Sequence, residues 1–353
     1  MAQGCDERGG ADRRYTESML NTLPPYRPAA WLIGPHSDTV YPALALKRPP
    51  PAYRREIWTA PDGDEIAIDW LDAPAQPDAP LLVHFHGLEG SSASHYASAL
   101  MHMAKQRQWR AAVAHFRGCG GHPNRKPRAY HAGDSGEIDW ILRRFRAVHA
   151  GALFSAGVSL GGNALAKWLG EQAEQANSVL QGAAVISAPL DLVAAGKVLD
   201  RGLNKAIYTR EFMRTLRPKT LAHLATFSKE LSFLNVSPRE IAAARTFKQF
   251  DARVTAPLHG FAGVDDYWQR ASAKPHLRAI AVPTLVINAR NDPFLPASAL
   301  PGPADVSTAI TLLQPARGGH VGFAEGPFPG RIDWLPRCLM SFFDQHGGTG
   351  PAR

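Results

Sequence analysis

The sequence has few cysteines and no long uncharged apolar run, and each shortage excludes a class of protein. Its three cysteines, Cys5, Cys119 and Cys338, are an odd number without the spacing of a metal site or a disulfide framework. The longest uncharged stretch, residues 150–166, is interrupted by Ser, Gly and Asn and is too short to span a bilayer. The first twenty residues are charged and lack the apolar core of a signal peptide. We therefore expect a reduced, cytoplasmic protein.

Negative charge is also in deficit, since 39 Lys and Arg residues face 31 Asp and Glu residues and leave a net charge of +8. The basic residues are spread along the chain, with only short clusters such as residues 125–128, and no nucleic-acid-binding module is recognisable. We interpret the surplus as a solvated basic surface and expect no nucleic-acid partner. A weak peripheral contact with an anionic membrane stays open, and the sequence does not indicate an oligomeric state.

Short apolar runs alternate with amphipathic stretches from about residue 57 onward. The pattern predicts a β-hairpin at residues 57–59 and 66–70, and strands at 81–86, 111–116, 152–156, 183–187, 284–289 and 308–313. Four helices are expected. One covers residues 93–106, one follows a capping box formed by Asp134 and Glu137, one begins at Asn163, and the last includes residues 334–343. Strands alternating with helices at this spacing predict an α/β fold, with a mostly parallel central sheet and helices on both faces.

The organisation predicted is a flexible N-terminal tail over residues 1–25, followed by one α/β domain over residues 26–353. A proline-rich stretch, residues 24–51, is expected to pack against the body as an extended arm. The alternation of strands and helices lapses between residues 190 and 277, where the chain looks helical and is rich in aromatic side chains. We expect this insertion to fold as a cap. Its aromatic residues can form an acyl pocket or the core of the cap itself, and both interpretations stay open.

A Gly-x-Ser-x-Gly sequence stands between a predicted strand and a predicted helix, with Ser159 at its centre. This context is that of a nucleophile elbow, in which a sharp turn exposes the serine at a helix N-terminus. The turn needs small neighbours, and Gly157, Gly161 and Gly162 meet that need. Free backbone N–H groups at the helix N-terminus favour developing negative charge. Ser159 is therefore the candidate nucleophile.

A serine hydroxyl is a weak nucleophile and needs a histidine base that is oriented by an acid. In α/β-hydrolases the chain order is Ser, then Asp or Glu, then His. Asp292 follows the predicted strand 284–289, and His320 follows the predicted strand 308–313. Both lie where open α/β sheets place their sites, beyond the carboxyl ends of the strands.

Three other residues compete with this assignment. Asp191 follows the preceding strand and could be the acid in a variant arrangement. Asp305 precedes its strand and so lies at the wrong end of it. His346 stands near a polar terminus and is expected to be solvated. Asp292 and His320 are therefore preferred.

Stabilising an oxyanion requires two N–H donors. Leu160 supplies one because it follows the nucleophile, and the second is expected from the loop after an early strand. Leu88 is the choice there, since Gly87 and Gly90 let that backbone approach the substrate.

Two further features are predicted to be structural. His84 and His86 share one face of a strand, but no third metal ligand is apparent, so a packed or hydrogen-bonded pair is expected and no metal site is assigned. Cys119 lies in a glycine-rich turn without an indicated base, and we expect a small buried residue there.

Longer motifs resemble one branch of the α/β-hydrolases. Over roughly residues 26–345 the chain is similar to the YheT-like hydrolases, which are related to plant embryogenesis-associated hydrolases and mammalian α/β-hydrolase-domain lipases. The similar segments are residues 86–90, 115–119, 130–134, 157–163, 255–261 and 291–293, preceded by residues 26–31 and 41–44. Two departures stand out. Asn291 occupies a position where aspartate is common, and Ser37-Asp38 replaces the usual pair before Thr39, which leaves the arm without an assigned role.

The resemblance implies an α/β-hydrolase fold, hydrolysis of carboxylic esters with acyl chains or acylglycerols as substrates, and the triad Ser159, Asp292 and His320. The expected mechanism is two-step acyl transfer through an acyl-enzyme, without a metal or organic cofactor. Thioester hydrolysis and acyl transfer to an alcohol share that intermediate and stay open. A catalytically silent binding protein of the same fold is the alternative from another class.

Overall fold

The computed structural model describes residues 21–73 and 75–347. Eight strands form one sheet in the order β1-β2-β4-β3-β5-β6-β7-β8. The strands are β1 (Tyr53–Thr59), β2 (Glu65–Leu71), β3 (Leu81–Phe85), β4 (Arg110–Ala114), β5 (Leu153–Val158), β6 (Gly182–Ile186), β7 (Thr284–Ile287) and β8 (Ile310–Leu313). The pair β1–β2 and the pair β2–β4 are antiparallel, and all pairs from β4 to β8 are parallel. The predicted hairpin and the mostly parallel sheet are confirmed.

Among the described residues, nine α-helices of six or more residues are labelled in chain order. They are α1 (Gly34–Ala45), α2 (His95–Gln106), α3 (Ser135–Val148), α4 (Leu160–Gln172), α5 (Leu192–Leu199), α6 (Arg210–Thr226), α7 (Pro238–Ala243), α8 (Val264–Ala271) and α9 (Trp334–Asp344). None of the helices in the described ranges is long and apolar enough to cross a membrane.

Apolar side chains on both faces of the central strands bind the helices to the sheet. Along β3, Leu81, Val83 and Phe85 point into one core cluster while Leu82 points into the other, as the two-residue period of a strand requires. The first cluster packs α3 and α4 against the sheet, and the second packs α2 and α9. Helices therefore cover both faces, and the carboxyl ends of the parallel strands stay free to carry loops.

The sequence predicted an extended N-terminal arm. The arm is not extended throughout, because residues Gly34–Ala45 form helix α1. Pro35 lies in the first turn, where a missing N–H costs nothing. Pro42 argues against a helix on sequence grounds because it cannot donate to the carbonyl of Asp38. That carbonyl instead lies directly against Gly322, where an added Cβ atom would overlap it. Helix α1 thus packs directly against the loop that contains Gly322.

The beginning of the chain is described only in part. The predicted tail falls largely on residues 1–20, which lie outside the described residues. Of the remainder, Leu23 is buried, and the carbonyl of Pro24 accepts a hydrogen bond from the Trp334 indole at 2.8 Å.

The predicted capping box at the start of α3 does not form, since Asp134 makes no side-chain capping bond. Arg128 lies beside the helix terminus and binds both carboxylates, donating to Asp134 at 2.6 Å and to Glu137 at 2.8 Å. Arg117 also donates to Glu137. A charge-assisted bond to an arginine is stronger than a neutral backbone bond, so the two carboxylates take the arginines as partners.

Between Ile186 at the end of β6 and Thr284 at the start of β7, the chain leaves the sheet for 97 residues. Helices α5 to α8 belong to this stretch, and we refer to residues 190–277 as the helical segment. Its own small core contains Met213, Leu216 and Ile241, while Tyr267 and Trp268 join the core of the sheet.

Candidate active site

Ser159 stands at a sharp turn between β5 and α4. Its φ of 53° and ψ of −119° are unusual for a residue with a side chain, and strained backbone of this kind collects at functional sites. Its N–H donates to the carbonyl of Ile186 at 2.9 Å, which fixes the turn to the neighbouring strand. The strand runs two residues further, and the helix begins three residues earlier, than the sequence predicted. The turn is therefore tighter than expected.

Glycine is required beside Ser159 because backbone segments approach each other there. A Cβ atom at Gly161 would lie 2.5 Å from the carbonyl oxygen of His86, and one at Gly157 would lie 2.5 Å from the carbonyl oxygen of Gly161. Distances below 3.0 Å are not found for real Cβ atoms. Only glycine lets α4 begin directly after the serine.

His320 lies within hydrogen-bond distance of both Asp292 and Ser159. The Nε2 atom of His320 is 3.0 Å from the Oγ atom of Ser159, and the Nδ1 atom is 2.9 Å from Oδ2 of Asp292. With a proton on Nδ1 donated to Asp292, the lone pair of Nε2 faces the serine hydroxyl. The three side chains thus form the connected chain that general-base activation requires.

The surroundings of Asp292 and His320 hold both side chains in place. The other carboxylate oxygen of Asp292 accepts from the N–H of Phe294 at 2.8 Å. The Phe294 ring stacks on the His320 imidazole with centroids 3.8 Å apart and planes 10° from parallel. Behind the histidine, the N–H of Val321 donates to Ser187 Oγ at 3.2 Å. Sequence reasoning missed Phe294, although its position two residues after the candidate acid is a signal that could have found it.

The competing residues have other partners. Asp191 is the N-cap of α5 and accepts from the N–H of Ala194 at 2.9 Å. Asp305 accepts from the N–H of Gly302 at 2.9 Å, and the His346 ring lies against Phe342. Each of these three side chains thus contacts a residue close to it in the sequence.

The loop after β3 presents one backbone N–H toward the site. The N–H of Gly87 donates to the Tyr96 hydroxyl at 2.9 Å, and the N–H of Glu89 donates to the Tyr130 hydroxyl at 3.1 Å. Between them, the N–H of Leu88 has no acceptor within the part of the chain that the structure describes. Leu160, at the first position of α4, has no intrahelical acceptor for its N–H. The two donors chosen from the sequence are therefore available, and both residues line the same cavity as Ser159.

Glu89 connects this loop to the helical segment. Its Oε1 atom accepts from the Tyr130 hydroxyl and from the Lys219 ammonium, each at 2.8 Å. Lys219 lies on α6 and also approaches the Cys119 sulfur at 3.3 Å. Cys119 is buried, and burial raises the pKa of its thiol, which fits the structural role expected for it.

A cavity of about 550 Å³ lies between the sheet edge and the helical segment. Its apolar lining includes Leu88, Leu160, Leu192, Leu199, Phe212, Leu216, Phe247, Phe250, Val254, Trp268 and Phe294, and its polar lining includes Glu89, Asn124, His131, Lys219, His223 and His259. Burial lowers the pKa of both His131 and His259 to about 3, so these imidazoles are neutral. Phe250 lines this cavity and also belongs to the small core of the helical segment.

His84 and His86 have hydrogen-bond partners of their own. His84 Nδ1 lies 3.0 Å from the carbonyl oxygen of Ala156, and His86 Nδ1 lies 2.7 Å from that of Gly87. His86 Nε2 accepts from the N–H of Phe116. Burial holds the pKa of both imidazoles below the usual range. Within residues 21–73 and 75–347, no group of three or more His, Cys, Asp or Glu side chains could hold a metal ion.

Comparison of the sequence with known proteins assigns the chain to a family. Residues 80–327 match the sequence profile of the α/β-hydrolase fold. The "Putative esterase YheT" of Escherichia coli is 36% identical over 306 residues, which is 85% of this chain and 87% of that protein. The mouse protein "Phospholipase ABHD3" is 28% identical over 91% of this chain and 79% of its own length.

A likeness in three dimensions agrees with the match in sequence. A structure of the Pyrococcus furiosus esterase Pf2001 superposes with a TM-score of 0.52, covers 86% of this chain and 99% of that chain, and is 14% identical in sequence. At this identity the likeness concerns the fold alone.

Proposed function

Since the chain belongs to the YheT-like branch of the α/β-hydrolase family, we propose that it hydrolyses carboxylic esters with Ser159 as nucleophile. Relatives named as an esterase and a phospholipase support a hydrolase of esters or lipids. The observation that carries the proposal is the unbroken chain of contacts from Ser159 through His320 to Asp292, at 3.0 Å and 2.9 Å.

In the first step, Ser159 Oγ attacks the ester carbonyl carbon while His320 Nε2 accepts the hydroxyl proton. Asp292 holds the imidazole in the required tautomer and stabilises the imidazolium. The N–H groups of Leu88 and Leu160 bind the oxyanion. Each such donor contributes about 2.7–4 kcal/mol to transition-state stabilisation in comparable sites.

Collapse of this intermediate releases the alcohol, which takes its proton from His320, and leaves an acyl group on Ser159. Water then attacks the acyl-enzyme while His320 again accepts a proton, and the carboxylic acid leaves. These steps need only groups of this chain and water.

The helical segment acts in this proposal as a cap over the cavity. Apolar side chains dominate the walls next to Ser159 and Leu160, so we propose that the acyl group of the substrate occupies that region. A buried methylene contributes about 0.8 kcal/mol, and an acyl chain therefore gains affinity with each carbon until the cavity is full.

We also propose that the protein works in the cytoplasm. Cys119 and Cys338, the two cysteines among the described residues, are both buried free thiols, as expected where the environment keeps thiols reduced.

Hydrolysis of p-nitrophenyl esters of graded chain length tests the proposal, with Ser159→Ala as the control. We expect kcat/KM to rise with chain length and turnover to fall by a factor of about 10³ or more in the variant. Undiminished turnover in the variant would refute Ser159 as nucleophile. Partition of the acyl-enzyme between water and an added alcohol distinguishes hydrolysis from acyl transfer. Comparison of kcat/KM for an ester and a thioester of the same acyl group distinguishes ester from thioester hydrolysis.

A further inference from the structure

Helix α1 holds the loop that carries His320. The Oγ1 atom of Thr39 accepts a hydrogen bond from the backbone N–H of His320 at 2.9 Å. The same hydroxyl donates its own proton to the carbonyl of Pro35 at 2.7 Å. Because that proton is engaged within α1, the lone pairs of the oxygen are directed to the histidine.

Asp38, the neighbour of Thr39, is only 4% exposed and is surrounded by donors. Arg317 donates to its carboxylate at 2.7 Å and 3.1 Å, and Asn291 Nδ2 donates at 2.8 Å. The Oδ1 atom of Asn291 accepts in turn from the N–H of Gly319 at 3.0 Å. The Asn291 side chain therefore joins α1 to the loop of Asp292 and to the loop of His320.

Helix α1 packs in close contact with residues 319–322, the loop that carries His320. A Cβ atom at Gly319 would lie 2.6 Å from Thr39 Oγ1, and one at Gly322 would overlap the carbonyl oxygen of Asp38. A displacement of α1 must therefore move residues 319–322, and with them the histidine.

We propose that Asp38, Thr39 and Asn291 are positioning residues that set the reach of His320 toward Ser159, so that α1 is part of the active site. This inference rests on the proposed function. Asp38 belongs to one of the two departures noted in the sequence and Asn291 is the other, and here the two side chains are hydrogen-bonded to each other. Aspartate at position 291 would remove the amide donor and set two carboxylates at hydrogen-bond distance. The amide of Asn291 thus supplies the hydrogen-bond donor that the carboxylate of Asp38 accepts.

The first test uses an isosteric pair at position 39. Thr39→Val keeps the shape but removes the acceptor, and Thr39→Ser keeps the acceptor. We expect kcat per active site to fall about tenfold or more in Thr39→Val and to stay within about threefold of wild type in Thr39→Ser, with KM for a short ester unchanged, because a small displacement of a reacting group costs this much. Ser37→Ala is the matched control. The Ser37 hydroxyl donates to the carbonyl of Gly34 and has no other hydrogen-bond partner among the described residues, so the variant should keep full activity.

The second test exchanges the two partners. We expect Asn291→Asp to lower kcat about tenfold or more, and the double variant Asp38→Asn/Asn291→Asp to recover most of it, because an amide again faces a carboxylate. Active sites are counted by titration with a fluorophosphonate, so that loss of folded protein is separated from loss of turnover.

A wild-type protein that hydrolyses no ester would refute the proposed function itself. An active wild type, with kcat per titrated site unchanged in Thr39→Val and Asn291→Asp, would overturn the positioning role alone. Losses in Thr39→Ser as large as in Thr39→Val would also overturn it, because they would show that the acceptor is irrelevant.

Discussion

The N-terminal helix α1 and the helical segment of residues 190–277 approach the candidate active site from two directions and contact different parts of it. Helix α1 contacts the histidine loop through short side chains such as Thr39, at distances that only glycine tolerates. The helical segment provides cavity walls, packs its small core against Leu88, and binds Glu89 of the same loop through Lys219. We infer that the first region sets the chemistry and the second sets which substrates enter.

Charge also separates the helical segment from the rest of the chain. Residues 190–277 contain 14 Lys and Arg against 8 Asp and Glu, whereas the other 265 residues contain 25 against 23. The positive surplus that looks dispersed along the sequence is therefore concentrated in the segment that covers the cavity. A positive field over a cavity entrance raises the local concentration of anionic ligands.

The largest effect is expected from the base that α1 holds. His320→Gln keeps a polar side chain of similar length but cannot accept the serine proton, so kcat should fall by a factor of about 10³ or more. Initial rates with a short ester measure this, and retention of more than a tenth of the activity would show that His320 is not the base.

Breaking the link between the helical segment and the loop of Leu88 should have an intermediate effect. Lys219→Met removes the ion pair with Glu89, so the loop loses a contact that fixes the Leu88 N–H. We expect kcat to fall about tenfold, since a misplaced oxyanion donor loses part of its stabilisation.

Lys229→Met is the matched control for that variant, because Lys229 is exposed and its side chain makes no contact with the loop of Leu88. Equal activity in both lysine variants, or a loss confined to KM in Lys219→Met, would mean that the ion pair does not act through the oxyanion loop.

A smaller effect, on selectivity, is expected at the cavity wall. Phe247→Ala enlarges the cavity, so the chain length with the highest kcat/KM should move to longer esters while the rate with acetate esters changes by less than about threefold. The same series with Thr39→Ser should show no such shift. An unchanged chain-length optimum in Phe247→Ala would place the acyl group elsewhere.

No effect on turnover is expected when Asp251, in the helical segment, is replaced by asparagine. Burial raises the pKa of this carboxyl to about 6, although Trp268 and Thr255 donate to it. A folded-state pKa above the unfolded value means that this group stabilises the fold below about pH 4 and that the stabilisation is lost as the pH rises through 6.

Asp251→Asn should therefore flatten the decrease in Tm between pH 4.5 and pH 7.5 by a few degrees and leave the kinetics unchanged. Thermal unfolding of both proteins across this range measures the difference. A parallel pH dependence in the two proteins would contradict the raised pKa.

The sequence predicted the sheet, and it named candidate site residues that the structure brings together, because both follow from local patterns. Apolar runs identify strands such as β3, and the chain order of Ser159, Asp292 and His320 sufficed to name three side chains that the structure brings within 3.0 Å of their neighbours. The carboxyl edge of a parallel sheet gathers loops from distant parts of the chain, so strand order alone places them together.

Features that depend on tertiary contact were not predictable. Helix α1 contains Pro42, and it packs against a loop that lies 280 or more positions further along the chain. Tyr96 and Tyr130 engage the N–H groups on either side of Leu88, and no local pattern marks such partners. The arm had no assigned role in the sequence because its contact with His320 joins residues 281 positions apart.

The most direct test of the account is the intact mass of the protein after reaction with an activated fluorophosphonate. We expect a single adduct that maps to Ser159 and no adduct in Ser159→Ala. We also expect labelling to be slowed about tenfold or more in Thr39→Val but not in Ser37→Ala. An adduct on another residue, or equal labelling of folded Ser159→Ala, would contradict it.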